Sequence, residues 1–181
     1  MIFIETKLEG AFVLELEKLE DERGFFARTW CKDEFTKHGL NPCLAQSSIS
    51  FNHKRGTLRG MHYQMAPHEE ARLVRCTTGG IYDVIIDLRD NSPTFTQWIA
   101  IELTAANHRA LYVPEQFAHG FQTLENATEV FYQMSEAYAP EHARGVRWND
   151  PAFFIKWPQD QRVISDRDKG YPDFLPKEIP Q

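Results

Sequence analysis

The stretch Ile81–Leu88, Ile-Tyr-Asp-Val-Ile-Ile-Asp-Leu, follows Thr-Thr-Gly-Gly (77–80) and precedes Asp-Asn-Ser-Pro (90–93). Gly, Asn, Asp and Pro tolerate or impose turn dihedrals, so this apolar run is closed at both ends and is too short for an ordinary helix. It predicts a buried strand. The same punctuation recurs along the chain. Further candidates are Ala11–Leu16, Gln46–Phe51, Arg72–Cys76, Trp98–Leu103, Ala110–Val113, Gly120–Leu124 and Thr128–Met134, with another turn at Leu-Glu-Asn-Ala (124–127). Short strands at this spacing predict an all-β sandwich or barrel. Only Cys31–His38 reads as helix, stopped by Gly39, Asn41 and Pro42. The tail from Gln159 onward, rich in prolines and charges, is expected to wrap the barrel in irregular or short helical form and can still line a site.

No repeat or linker interrupts the chain, so 181 residues with a 42% apolar fraction predict one domain with one core, centred on about 45–150. Twenty-six acids against 20 lysines and arginines leave a net charge of −6, which argues against a general nucleic-acid binder. The excess is uneven. Residues 1–22 carry seven acids against Lys7 and Lys18, while arginines gather elsewhere. The start, Met-Ile-Phe-Ile-Glu-Thr-Lys, is neither a basic leader nor a membrane span, and a cytoplasmic protein with no membrane partner is expected. Three cysteines, Cys31, Cys43 and Cys76, form no CxxC pair and suggest neither a disulfide framework nor a thiolate zinc site.

The densest polar stretch, Lys54–Arg75, holds Lys54, Arg55, Arg59, Arg72 and Arg75 against Glu69 and Glu70. Arginine's planar fork matches phosphate oxygens, so this stretch can clamp a small anion; a solvated strand face is the plainer reading. His62 lies among these arginines, and His119 sits in the apolar run Val-Pro-Glu-Gln-Phe-Ala-His-Gly-Phe (113–121). A histidine in such a run is more often a hydrogen-bonded core residue. A cupin metal site would use a His-x-His pair, but His62 is followed by Tyr63 and Gln64, and neither His53 nor His68 restores the spacing, so no metal is expected. Alternation over Thr128–Met134 puts Thr128, Val130, Tyr132 and Met134 on one face, with Tyr132 pointing into the barrel.

Taken together, the segments resemble the dTDP-4-dehydrorhamnose 3,5-epimerase family. The matching stretches are Asp-Glu-Arg-Gly-Phe-Phe (21–26), Arg-Gly-Thr-Leu-Arg-Gly-Met-His-Tyr-Gln (55–64), Asp-Val-Ile-Ile-Asp-Leu-Arg (83–89), Ser-Pro-Thr-Phe (92–95), residues 113–121 and Trp-Asn-Asp-Pro (148–151). The resemblance implies a cupin-type double-stranded β-helix, a jelly-roll barrel with a few short peripheral helices. It implies an isomerase needing no cofactor, which inverts C3 and C5 of a dTDP-linked 4-keto-6-deoxyhexose. Both carbons adjoin the ketone, so their protons are acidic; a base removes one and an acid on the other ring face returns one. By motif position His62 matches the base, Tyr132 the acid and Asp168 the carboxylate paired with the histidine. Arg23, Gln46, Ser48, Arg59, Arg72, His119 and Arg167 match positions that hold sugar and pyrophosphate, and Tyr138 matches an aromatic stacked on the base. The resemblance further implies a homodimer with exchanged amino-terminal strands, Arg23 coming from the partner chain.

Arg59 lies three residues from His62, which in a regular strand puts them on opposite faces. Either Gly60 relaxes the alternation through a bulge, or Arg59 reaches a ligand held by a neighbouring subunit. The chain also departs from the family pattern, with Arg28 and Ala143 for glutamates, Ser48 for asparagine, and Arg72 and Arg167 for lysines. These changes fit altered recognition of base or sugar, because the His, Tyr and Asp positions are intact. The rivals are an epimerase inverting one carbon, or acting on a CDP- or GDP-linked sugar, and a cupin that binds a nucleotide sugar without converting it.

Overall fold

The computed structural model describes residues 1–175. Its amino-terminal half contains β1 (Ile2–Glu5), β2 (Phe12–Glu15), β3 (Leu19–Asp21), β4 (Gly24–Phe26), α1 (Lys32–Lys37), β5 (Gln46–Asn52), β6 (Leu58–Gln64) and β7 (Arg72–Thr78). There follow β8 (Gly80–Asp87), β9 (Trp98–Thr104), β10 (Ala110–Val113), β11 (Phe117–Thr123), β12 (Thr128–Met134), β13 (Ala143–Gly145) and α2 (Asp166–Lys169). A six-stranded sheet in the order β1-β2-β10-β7-β12-β5 faces a five-stranded sheet in the order β13-β6-β11-β8-β9, and β3-β4 form a separate hairpin. The named strand pairs are all antiparallel. This is the expected jelly roll of cupin type.

The β8 run explains why a continuous apolar segment became a strand. Ile81 and Ile85 join Val74, Leu111, Phe117, Phe121 and Val130 between the sheets. Val84 and Ile86 point the other way, where Met61, Ala118, Phe153 and Trp157 cover them. With both faces covered, each of these side chains contributes about 1.5–3 kcal/mol of transfer free energy. Helix α1 matches the predicted segment within a residue at each end and buries Phe35 against the outer face of the six-stranded sheet.

One predicted boundary needs correction, and one seven-residue strand lies outside the predicted set. Strand β11 begins at Phe117 rather than Gly120, because it pairs with β8 from Phe117–Asp87 to Thr123–Ile81. Strand β6 had no counterpart among the strand candidates, since its arginine, glycine and histidine disguise the apolar alternation. Its register shows why: His62 pairs with His119 and Arg59 with Phe121, so Gly60 and Met61 together oppose Gly120. This is a β-bulge, and of the two explanations for Arg59 it is the one realised within the chain.

Gly60 has φ +121°, and a Cβ there would lie 2.5 Å from Gly120 Cα and 2.8 Å from the His119 carbonyl oxygen. Backbone blocks it on that side, so no side-chain movement relieves the clash. Gly60→Ala should destabilise the fold by roughly 2–4 kcal/mol. Urea unfolding should show a lower midpoint with an unchanged slope. An unchanged midpoint would contradict the bulge.

Candidate active site

The bulge turns Arg59 and His62 the same way. Arg59 and His62 both line a pocket of about 670 Å³ at one end of the barrel, while Met61 between them is fully buried on the opposite side of β6. Strands β5, β7, β11 and β12 supply the other walls. Among the predicted residues, Ser48, Arg59, His62, Arg72, His119, Tyr132, Tyr138, Arg167 and Asp168 all line this one pocket. Gln46 stands at its edge, where Oε1 accepts the Tyr138 backbone N–H at 2.6 Å. Arg23 is not there. Its side chain is 85% exposed on the β3–β4 hairpin and pairs with Asp21 at 2.5 Å.

Asp168 arrives from the tail. Val163 forms a parallel bridge with Thr57 and exchanges backbone bonds with Gly56 and Leu58, which docks the tail against the start of β6. Ser165 then caps α2, its Oγ accepting the Asp168 N–H at 3.1 Å. One oxygen of Asp168 meets His62 Nε2 at 2.7 Å and the other accepts the Gly60 N–H at 3.2 Å. Burial pushes the Asp168 carboxyl up, but the hydrogen bond and charge of His62, with the Gly60 and Ser165 contacts, outweigh it and hold the group below its ordinary value. An ionised carboxylate only accepts, so His62 Nε2 carries the proton and Nδ1 is the ring's basic nitrogen.

Tyr132 comes from β12, on the face predicted for it, and packs between the rings of His119 and Phe121 at centroid distances of 6.1 and 6.5 Å. Burial raises its phenol far above the ordinary value, and the Asp83 charge adds to this against the opposing pull of Arg72 and Arg59. A phenol so placed keeps its proton and can donate it.

The wall between the two is basic. Arg59 Nε donates to Asn52 Oδ1 at 2.8 Å. Arg72 Nη1 donates to the His62 carbonyl at 3.2 Å and to His119 Nδ1 at 3.3 Å, and His119 Nε2 meets Asp83 Oδ1 at 2.7 Å. Sequence reasoning missed Asp83, Glu70 and Arg144. The signal for Asp83 was there, a carboxylate inside an apolar strand, as was that for Glu70, two residues from Arg72 on an extended segment. Of the departures from the family pattern, Ala143 lines the pocket, whereas Arg28 pairs with Glu34 at 3.1 Å on the surface. Among the described residues, no cluster of three or more His, Cys, Asp or Glu is arranged to hold a metal ion.

A jelly-roll barrel that gathers a carboxylate-paired histidine, a tyrosine that keeps its proton and an arginine wall in one pocket is a cupin-type fold with titratable groups in a cavity suited to an anion. A sequence profile of the dTDP-4-dehydrorhamnose 3,5-epimerase family matches residues 5–175, and the chain belongs to that family of isomerases. The dTDP-4-dehydrorhamnose 3,5-epimerase of Methanothermobacter thermautotrophicus is 40% identical over 172 residues, covering 93% of this chain and 92% of that protein. The crystal structure of dTDP-4-dehydrorhamnose 3,5-epimerase from Bacillus anthracis with TDP and PPi bound superposes with a TM-score of 0.92 at 41% identity, covering 96% of this chain and 99% of the other. A 3′-monoepimerase from Streptomyces bikiniensis in complex with dTDP-quinovose superposes with a TM-score of 0.85 at 31% identity, covering 93% and 85%.

The Tyr132 environment makes a spectroscopic prediction. Between about pH 8 and 10, where an ordinary tyrosine begins to ionise, difference absorption spectra of wild type against Tyr132→Phe should show no phenolate from Tyr132. Phenolate absorbance from this residue below about pH 10 in the folded protein would contradict the assigned environment.

Proposed function

We propose that the protein epimerises a dTDP-linked 4-keto-6-deoxyhexose at C3 and C5, converting dTDP-4-dehydro-6-deoxy-D-glucose to dTDP-4-dehydro-L-rhamnose. The observation that carries this reading is the meeting of the His62–Asp168 pair and Tyr132 in one arginine-lined pocket. His62 Nδ1 takes the proton from the carbon next to the ketone, and Asp168 steadies the imidazolium that forms. The negative charge moves onto the ketone oxygen, where Arg72 opposes it. Tyr132 then delivers its proton to the other ring face, inverting the centre, and is reprotonated from solvent. Arg59 and Arg167 hold sugar and pyrophosphate, with Ser48 and Gln46 beside them; His119, its ring nitrogens engaged by Arg72 and Asp83, lines the wall behind the sugar, and Tyr138, 53% exposed at the mouth, offers its ring to the base. The chain acts as a single sugar-nucleotide epimerase domain in the cytoplasm.

The reading also includes a homodimer. The exchanged amino-terminal strands include the β3–β4 hairpin, which belongs to neither main sheet. It exposes Leu19 and Phe26 at 70% and 73%, and the edge strand β5 exposes Ile49 and Phe51. Apolar side chains on a free edge and a free hairpin suit a second copy of the chain. The hairpin then carries Arg23 to the partner's pocket.

Proton NMR in deuterated water tests the reaction. Wild type should place deuterium at both C3 and C5; label at one carbon would favour the monoepimerase that the Streptomyces bikiniensis likeness brings into view. His62→Ala should lower turnover roughly 100- to 10,000-fold with the fold intact. Tyr132→Phe should still exchange deuterium into unconverted substrate, because abstraction by His62 precedes the tyrosine's step. Arg23→Ala should raise KM about tenfold or more with an unchanged melting temperature. Full epimerase activity in His62→Ala would end the acid–base assignment.

A further inference from the structure

We infer that Glu70 is a positioning residue for the reaction: together with His119 it fixes the Arg72 guanidinium in one orientation at the pocket wall, with a single N–H left for the substrate oxygen. The inference rests on the epimerase reading above and assigns a role to a carboxylate that the proton-transfer steps do not use.

Arg72 opens β7, and its side chain is 12% exposed against 9% for Glu70. Arg72 Nε donates to Glu70 Oε1 at 3.0 Å and Nη2 bonds the same oxygen. Nη1 spends both hydrogens inside the protein, on the His62 carbonyl and on His119 Nδ1. A guanidinium has five N–H donors and four are engaged, which leaves one on Nη2. Three elements therefore hold one planar group: the segment before β7 through Glu70, β6 through the His62 carbonyl, and β11 through His119.

The fixation has a second consequence. A guanidinium has no acceptor, so His119 Nδ1 must accept from Arg72 and its proton sits on Nε2, donated to Asp83 Oδ1 at 2.7 Å. Asp83 is fully buried, and its second oxygen has no hydrogen-bond partner among the described residues, so the line Glu70–Arg72–His119–Asp83 runs from the pocket wall into the barrel interior. An ammonium in place of Arg72 would be a mobile point charge without this planar registration. Arg72 thus serves as a fixed cation facing the enolate oxygen, and Glu70 sets its plane.

Glu70→Gln keeps the shape and weakens the charge-assisted bond to Arg72. It should lower kcat about 10- to 100-fold while KM moves less than about threefold, the split expected when a contact matters chiefly in the transition state. In an Arg72→Ala background the same change should cost less than about twofold, because the group that Glu70 positions is gone. Glu70→Asp, which retains the carboxylate, should fall between, and it serves if Glu70→Gln does not fold. Imidazole nitrogen-15 spectra of the free enzyme give a readout that needs no turnover: wild-type His119 should be the Nε2–H tautomer, and its Nδ1 resonance should shift in the Glu70 variant. Equal losses of kcat in both backgrounds, or an Nδ1 resonance unmoved by the Glu70 variant, would overturn the inference. If wild type itself exchanges no deuterium with keto sugar nucleotides, the epimerase reading fails, and the nitrogen spectra still test the geometry.

Discussion

Gly60 and Gly120 pass so closely that a Cβ on Gly60 would fall 2.5 Å from Gly120 Cα, while one on Gly120 would fall 2.6 Å from Met61 Sδ. The close approach lets two residues of β6 oppose one of β11, and the rest of the site follows from it. The bulge sends Met61 outward to the buried layer beneath Phe153 and Trp157, and sends Arg59 and His62 together into the pocket. It also turns the Gly60 N–H toward Asp168, so the carboxylate that pairs with His62 is held by the irregularity that aims the histidine. A regular ladder at this point would turn either Arg59 or His62 away from the pocket.

The pocket gives its titratable groups opposite environments, and in the proposed mechanism this separates the proton donor from the proton acceptor. Asp168 is buried but well supplied with donors, and it remains a carboxylate that orients the His62 ring. Tyr132 is partly buried and stands near a second carboxylate, Asp83, and its removal from water together with that charge keeps its proton in place. Opposite pushes on two titratable groups in one cavity are the usual way for a single site to offer base and acid together. In the proposed mechanism the arginines between them answer the negative charge that the substrate brings and the charge that develops on it. An acidic amino-terminal segment with basic residues drawn into a cavity suits a small diphosphate better than a polyanion.

Much of this was legible in the sequence, in proportion to how local its causes were. Turn residues at 77–80, 90–93 and 124–127 bracket strands that formed close to their predicted limits, because turn chemistry acts within a few residues. The face of Tyr132 followed from simple alternation. Strand β6 was illegible as a strand because its bulge depends on Gly120, some sixty residues away, and no local pattern reports that contact. The partnership of Asp83 with His119 was hidden for the same reason: both sit in apolar runs, and only strand pairing between β8 and β11 brings them together. Arg23 matched a motif, yet in the single chain it lies on a hairpin outside both main sheets, away from the pocket.

The central claim is that His62 and Tyr132 address opposite faces of one sugar ring inside the barrel. A crystal structure with a dTDP-linked hexose lacking the 4-keto group, which binds but cannot be epimerised, tests this most directly. The account predicts the hexose between His62 Nδ1 and the Tyr132 hydroxyl, one on each ring face, with the diphosphate on the arginines and the base against Tyr138. A sugar bound with both side chains on the same face, or lying outside this pocket, would contradict it.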